Sequence, residues 1–294
     1  MKRQLPVGRR IFLFGNNIFL ISVAVLCVLP LIHVLALSLS DNTAAAAGVV
    51  KLLPVGFTWK SYEYVVGRSA FWVSMWVSVK RILVGGALNL ILTVTVAYPL
   101  SKEVSQFRAR TVYVWIFFFS MLFSGGMIPA YILVKHLNLM NTIWALVLPG
   151  AVPIFNVILM LNFFRQIPKE LEEAAFIDGA GHWRTLVSIF IPCSLASIAT
   201  VTLFSIVGHW NSYFDGMIYS DFPINYPLQT YLRTIVVAKD MTNMSGDDWK
   251  MLQSISERSM KSAQIFIGAI PILCVYPFLQ RYFVKGIVVG SVKG

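Results

Sequence analysis

Long apolar runs separated by short polar segments dominate this chain. Six of them approach the roughly 20 residues that a helix needs to cross the hydrocarbon core of a bilayer. They cover about 18–38, 82–100, 111–134, 143–164, 186–209 and 263–283. The third is interrupted near its middle by Gly125, Gly126 and Pro129, and the fourth carries Pro149 and Pro153 one turn apart. The pattern predicts an all-α integral membrane protein, with a short segment at 1–17, a six-span body at 18–283 and a tail at 284–294. Two stretches of the body are long enough for structure of their own, at about 165–192 and about 210–261. The second contains a helix-like run at 228–237 and a polar run at 240–250. Long ordered loops often carry binding roles, although a lid over the bundle would have the same composition.

Composition agrees with this reading. Of 294 residues, 57% are hydrophobic and 13% charged, against about 25% charged in an ordinary soluble domain. So little charge cannot cover a water-soluble protein of this size. The 21 Phe, 8 Trp and 11 Tyr exclude a disordered chain. Cys27, Cys193 and Cys274 lie in apolar runs without a CxxC, and are expected to be buried small hydrophobes rather than ligands or disulfides.

The net charge of +11 bears on orientation. In a chain this apolar, basic residues set the direction of insertion rather than bind nucleic acid. Lys2, Arg3, Arg9 and Arg10 precede the first run, whose length and lack of an A-x-A-like site mark a retained helix rather than a cleaved signal. With the N-terminus in the cytoplasm, the segments 101–110 and 165–185 and the C-terminus are cytoplasmic too. Both termini inside fits an even number of spans.

Several chemistries leave no trace. There is no G-x-x-x-x-G-K-[ST] phosphate loop, no H-E-x-x-H and no G-x-S-x-G. His33, His136, His182 and His209 are scattered without metal-ligand spacing, and no acid lies in the six predicted spans to build a proton relay. Energy for uphill movement would have to come from a partner.

Between the fourth and fifth spans lies Ile167-Pro168-Lys169-Glu170-Leu171-Glu172-Glu173-Ala174-Ala175-Phe176-Ile177-Asp178-Gly179-Ala180-Gly181. Proline suits the first helical position. The three glutamates fall in or near the first turn, where the helix dipole favours acids, and Gly179 follows as a left-handed terminator. Leu171, Ala174 and Ala175 recur at i, i+3 and i+4, a narrow face that lets another protein approach the backbone. An ordinary amphipathic connector would show the same face. The longer string is more specific: Glu173-Ala174-Ala175-x-x-Asp178-Gly179-Ala180, then eight residues, then Ile189-x-Ile191-Pro192. It resembles the EAA loop of bacterial ABC importer permeases, with isoleucine where leucine is usual before the proline. Trp210-Asn211 resembles the WN pair of sugar permeases. The ending Gln280-Arg281-Tyr282-Phe283-Val284-Lys285-Gly286 with Gly290-Ser291-Val292-Lys293-Gly294 is similar to that of the carbohydrate branch. The resemblance covers nearly the whole chain. It is nearest to the maltose-type second permease and to polysaccharide permeases, those of alginate import among them.

That resemblance implies a type I permease bundle in the bacterial inner membrane, forming one half of a heterodimeric channel for oligosaccharides or polysaccharides. A second permease, an ATPase pair and an extracytoplasmic solute-binding protein would complete it. ATP and Mg would be held by the ATPase, so this chain is expected to be no enzyme and to hold no cofactor or metal. Glu173, Ala174, Ala175, Asp178, Gly179 and Ala180 would form the surface that couples to the ATPase. Carbohydrate and membrane lipid are the remaining expected partners.

The substrate path has to be sought among polar residues of the spans. Placed on one helical wheel, Ser194, Thr202, Ser205 and His209 fall within an arc of about 80° on the fifth span. Such a stripe suits a bundle interior or a wet pathway, while hydroxyls bonding their own i−4 carbonyls would give the same pattern. Asn156 and Asn162 on the fourth span are further candidates. Lys80 and Arg81 are expected at the outer mouth of the second span, either anchored to lipid phosphate or forming a basic rim that draws an acidic sugar. A stand-alone six-span enzyme or channel is the alternative function, and it would have no need of the EAA segment.

Overall fold

A computed structural model describes residues 6–237 and 256–290. The predicted polar run at 240–250, the basic residues Lys2 and Arg3 and the last four residues lie outside them. The described residues are mostly helical and contain no strand. They divide into two compact units, residues 1–69 with 235–270 and residues 70–234 with 271–294.

In the first unit, α1 covers Val7–Ser38, starting earlier than the predicted span because the turn after Pro6 is already helical. The short α2 (Asn42–Ala47) is N-capped by Asp41, whose carboxylate accepts from the Thr43 backbone N–H at 3.2 Å and from its hydroxyl at 2.6 Å. These bonds hold the Asp41 carboxyl below its ordinary pKa. The helix α3 covers Lys60–Val66. Ser40 fastens the intervening loop, donating to Ala36 O at 2.6 Å and accepting from Val55 N at 3.0 Å.

Most of the second unit is built on α4 (Ser69–Ser101), which starts thirteen residues before the predicted second span. Charge at Lys80 and Arg81 suggested a boundary there, but Arg81 is paired inside the protein and the helix runs through. Then come α5 (Arg110–Leu122) and α6 (Met127–His136), bent by 110° at the glycine pair. Next are α7 (Ile143–Val147) and α8 (Ile154–Phe164), separated by a 3₁₀ turn at Leu148–Gly150 and bent by 50°. The first break falls at the glycine pair expected to interrupt the third span, and the second beside Pro149 and Pro153 of the fourth. The short helix expected between the fourth and fifth spans is α9 (Lys169–Ile177), and Pro168 stands just before it rather than at its first position.

The fifth span is the correction. Instead of one helix it is α10 (His182–Thr185), a π-helical turn at Leu186–Phe190, α11 (Ile191–Cys193) and then α12 (Leu195–Asn211), with an 86° bend. Pro192 has no N–H to offer the carbonyl four residues back, and the ladder widens and turns there. Ser194 sits in the bend and does not share a wheel with Thr202, Ser205 and His209. Beyond it lie α13 (Phe214–Tyr219), α14 (Leu228–Val237) and α15 (Glu257–Gly290). The run predicted at 228–237 is α14 to the residue.

Among the described residues, three helices are long and apolar enough to span alone, and the bent pairs bring the number to as many as six. The second unit's core joins α4, α8 and the helices around the fifth break through Ala97, Tyr98, Met160, Phe164, Phe190 and Val201. Outside it, α5 exposes Val112, Trp115, Ile116 and Phe119. Contrary to expectation, Cys27, Cys193 and Cys274 are all exposed. A helix facing hydrocarbon needs no protein cover over a small apolar side chain.

Candidate functional site

Two polar constellations stand out in the second unit, and α4 contributes to both. The first surrounds α9. Its C-terminus is closed by a Schellman motif: Gly179 N donates to Phe176 O at 3.0 Å and Ala180 N to Ala175 O at 2.9 Å, with Gly179 at φ +79°. Glu173, Ala174, Asp178 and Gly179 are exposed, Ala180 is half-buried and Ala175 turns inward at 9% exposure. Of the narrow face, Leu171 and Ala174 point outward while Ala175 packs.

Glu172, expected only as a first-turn acid, is buried against α4. It accepts from Lys102 Nζ at 2.5 Å, and that ammonium also lies 3.9 Å from the Tyr98 ring centroid and 4.1 Å from that of Phe190. Burial pushes the Lys102 ammonium below its ordinary pKa, against the pull of Glu172. A second, exposed pair joins Lys169 to Glu103 and holds the Glu103 carboxyl below its usual range. Arg110 Nε donates to Leu100 O at 3.0 Å, satisfying a carbonyl in the last turn of α4. The Lys102–Glu172 and Lys169–Glu103 pairs hold α9 beside the end of α4 while its opposite face stays open.

The second constellation is mostly buried, with Asp215 and Ser212 only half-buried. Arg81, expected beside Lys80 at a rim, is only 3% exposed. Its guanidinium donates from Nη1 to Asp215 Oδ1 at 3.0 Å and from Nη2 to Oδ2, a bidentate pair. Ser212 Oγ at 2.9 Å and Gly216 N at 2.9 Å also donate to Oδ1. Arg81 Nε points at His209 Nδ1 at 3.3 Å, which makes Nδ1 the acceptor and leaves the proton on Nε2. Nε2 lies 2.7 Å from Asn89 Oδ1, and Asn89 Nδ2 donates to Gly150 O at 2.9 Å. The chain of bonds thus runs from α13 through α4 and α12 to a carbonyl of the turn that breaks the fourth span. Gly85 makes room for it: a Cβ there would stand 2.5 Å from His209 Nε2. Lys80, one residue away, points elsewhere and is exposed, its ammonium 5.5 Å from the Trp76 ring.

The other predicted path residues divide. Asn156 and Ser205 meet, Nδ2 to Oγ at 3.3 Å, and both are buried. Ser194 is buried at the bend, Thr202 is half-buried and Asn162 is exposed on another face of α8. Asn89, Asp215, Lys102 and the pairing of Glu172 escaped the sequence reading. An arginine in an apolar helical run demands an acid, and Asp215, six residues after His209, was the available signal. Among the described residues no His, Cys, Asp or Glu cluster could hold a metal ion.

Known proteins share this architecture. The model of the family described as "Binding-protein-dependent transport system inner membrane component" matches residues 91–289. Protein LplC of Bacillus subtilis (strain 168) is 42% identical over 286 residues, 97% of this chain and 96% of the relative. The polygalacturonan/rhamnogalacturonan transport system permease protein YtcP of the same organism is 39% identical over 278 residues, 94% of this chain and 96% of the relative. A crystal structure of a bacterial ABC transporter involved in the import of the acidic polysaccharide alginate contains a chain that superposes with a TM-score of 0.82. That chain is 32% identical, and the match covers 96% of this chain and 100% of that one. With a bent-helix bundle shared along its whole length and the family's model matched over most of it, the chain belongs to the inner-membrane components of binding-protein-dependent transport systems, the permease subunits of ABC importers.

Proposed function

We propose that this permease forms half of the channel of an ATP-driven importer for acidic oligosaccharides, and that α9 couples it to the ATPase. The observation that carries the substrate class is likeness over nearly the full chain to a permease named for polygalacturonan and rhamnogalacturonan and to an alginate importer. Galacturonan and alginate are both polymers of uronic acids. The coupling role is supported by the open face of α9, by its closed Schellman end and by the Lys102–Glu172 pair, which passes any displacement of α9 to α4. The partners are a second permease, an ATPase pair that binds ATP and Mg, and a solute-binding protein on the far side of the membrane.

The complete complex, reconstituted with its ATPase and binding protein, should take up trigalacturonate only when ATP is supplied inside. Uptake of a neutral trisaccharide with none of the uronate would overturn the substrate class.

The bias of basic residues towards the short segments supports an orientation with both termini in the cytoplasm, α9 on the same side and α13 outside. In a background lacking the three native cysteines, Glu173→Cys should therefore be shielded from a membrane-impermeant thiol reagent in intact cells. Ile224→Cys, which is exposed, should react. Reaction at Glu173→Cys alone would reverse the orientation.

A further inference from the structure

One cleft of the second unit belongs to neither constellation. It is an open cleft of about 460 Å³ between the end of α6 and the end of α13, lined by Tyr131, Lys135, Asn138, Met140 and Asp221. That volume is within the range of small-molecule sites, roughly 300–1,000 Å³. Its walls are built rather than loose. Asn141 Nδ2 donates to Asp221 Oδ2 at 2.8 Å, Asp221 N donates back to Asn141 Oδ1 at 2.7 Å, and Asn141 N donates to Tyr219 O at 2.9 Å. Asn138 and Asn141 both hold left-handed backbone, at φ +54° and +63°, a region that asparagine enters more readily than other side-chain-bearing residues. Tyr131 lies parallel to Tyr219, with ring centroids 6.5 Å apart and planes within 9°, so its ring is oriented by a neighbour.

We infer that this cleft is a subsite for one uronic acid unit of the incoming sugar. The inference rests on the proposed substrate class and extends it to particular residues. Each wall has a matching part of such a unit. A pyranose ring presents a face of C–H groups, which an oriented aromatic ring and the adaptable Met140 side chain can cover. Its hydroxyls need acceptors, and Asp221 commits Oδ2 to Asn141 while Oδ1 is available. Its carboxylate needs a cation, and the exposed Lys135 makes no ion pair among the described residues. Lys135 also stands in the last turn of α6, where the helix dipole alone would favour it. The dipole accounts for a cation there but not for an aromatic ring, a carboxylate and a fixed asparagine turn around the same cleft. The proposed orientation puts the cleft on the extracytoplasmic side, where the sugar arrives.

The test is uptake by the full reconstituted complex of trigalacturonate and of its carboxyl-reduced, neutral counterpart. Lys135→Gln should raise the KM for the uronate about tenfold, the scale of one lost charge-assisted hydrogen bond, and leave that of the neutral sugar unchanged. Tyr131→Ala should impair both sugars and Tyr131→Phe neither, because the ring and not the hydroxyl supports the substrate. Affinity of the binding protein for each complex, measured in parallel, should stay at the parental value. Unchanged uptake by Lys135→Gln from a parent that transports the uronate would overturn the subsite and leave the substrate class standing. Equal loss on both sugars with weakened binding-protein affinity would also overturn it and make the cleft a docking surface. A parent complex that carries only the neutral sugar would overturn the substrate class itself, and the subsite with it.

Discussion

Asp215→Ala should deplete the folded permease from the membrane. The substitution leaves the Arg81 guanidinium, 3% exposed, without its carboxylate. Removing one partner of a buried ion pair costs about 3–5 kcal/mol, a large share of the roughly 5–15 kcal/mol that holds a typical protein folded. Ser212 and Gly216, which both donate to Asp215, lose their acceptor as well. The double replacement Arg81→Met with Asp215→Leu removes both charges and should recover much of the loss, since apolar residues of similar volume often match or exceed a buried pair. Thermal melting of the detergent-solubilised complex, followed by size-exclusion chromatography, reads both effects. A double variant no more stable than Asp215→Ala would show that the pair does not account for the loss.

A second large effect is expected at Gly179, on function rather than on folding. Its φ of +79° costs a residue with a Cβ about 1–2 kcal/mol, and β-branching adds to that. Nothing lies within 4 Å of the Cβ position, so Gly179→Val has no steric quarrel with the bundle, and the protein should insert at parental levels. Strain is relieved most cheaply by unwinding the last turn of α9, which displaces the exposed Asp178 and Gly179 at its end. Transport and substrate-stimulated ATPase activity should then fall to background. Gly179→Asn, which tolerates the left-handed region, should keep most of both. Parental ATPase stimulation in Gly179→Val would remove α9 from the coupling path.

What could be read along the chain was local. Gly125 and Gly126 break the third span, Pro149 and Pro153 frame the break in the fourth, and α14 and the left-handed Gly179 stand where short-range chemistry puts them. The missed features are long-range. Arg81 and Asp215 are 134 residues apart, and Lys102 and Glu172 are 70. A charge next to an apolar run looks like the run's end until its partner is known, which is why α4 seemed to begin after Arg81. Ser194 was misplaced for a different reason. Proline at 192 was visible, but whether it kinks a helix or turns it by 86° depends on what packs around the freed carbonyls. The cysteines failed because burial statistics come from proteins whose outer surface meets water.

One ion pair holds Arg81 inside α4, and the other holds Lys102, the residue just past its end. At 1.5 Å per residue, Arg81 and Lys102 are roughly 30 Å apart along the axis, close to the depth of the hydrocarbon slab. Each is tied to a different neighbour, Arg81 to α13 and Lys102 to α9. The rod is thereby indexed at both ends, like a shaft keyed into two collars. A slide by one turn would pull both keys at once and unpair four charges, whereas a small tilt that pivots near the keys keeps each pair within reach. The two pairs therefore oppose an axial slide of α4 more than a tilt.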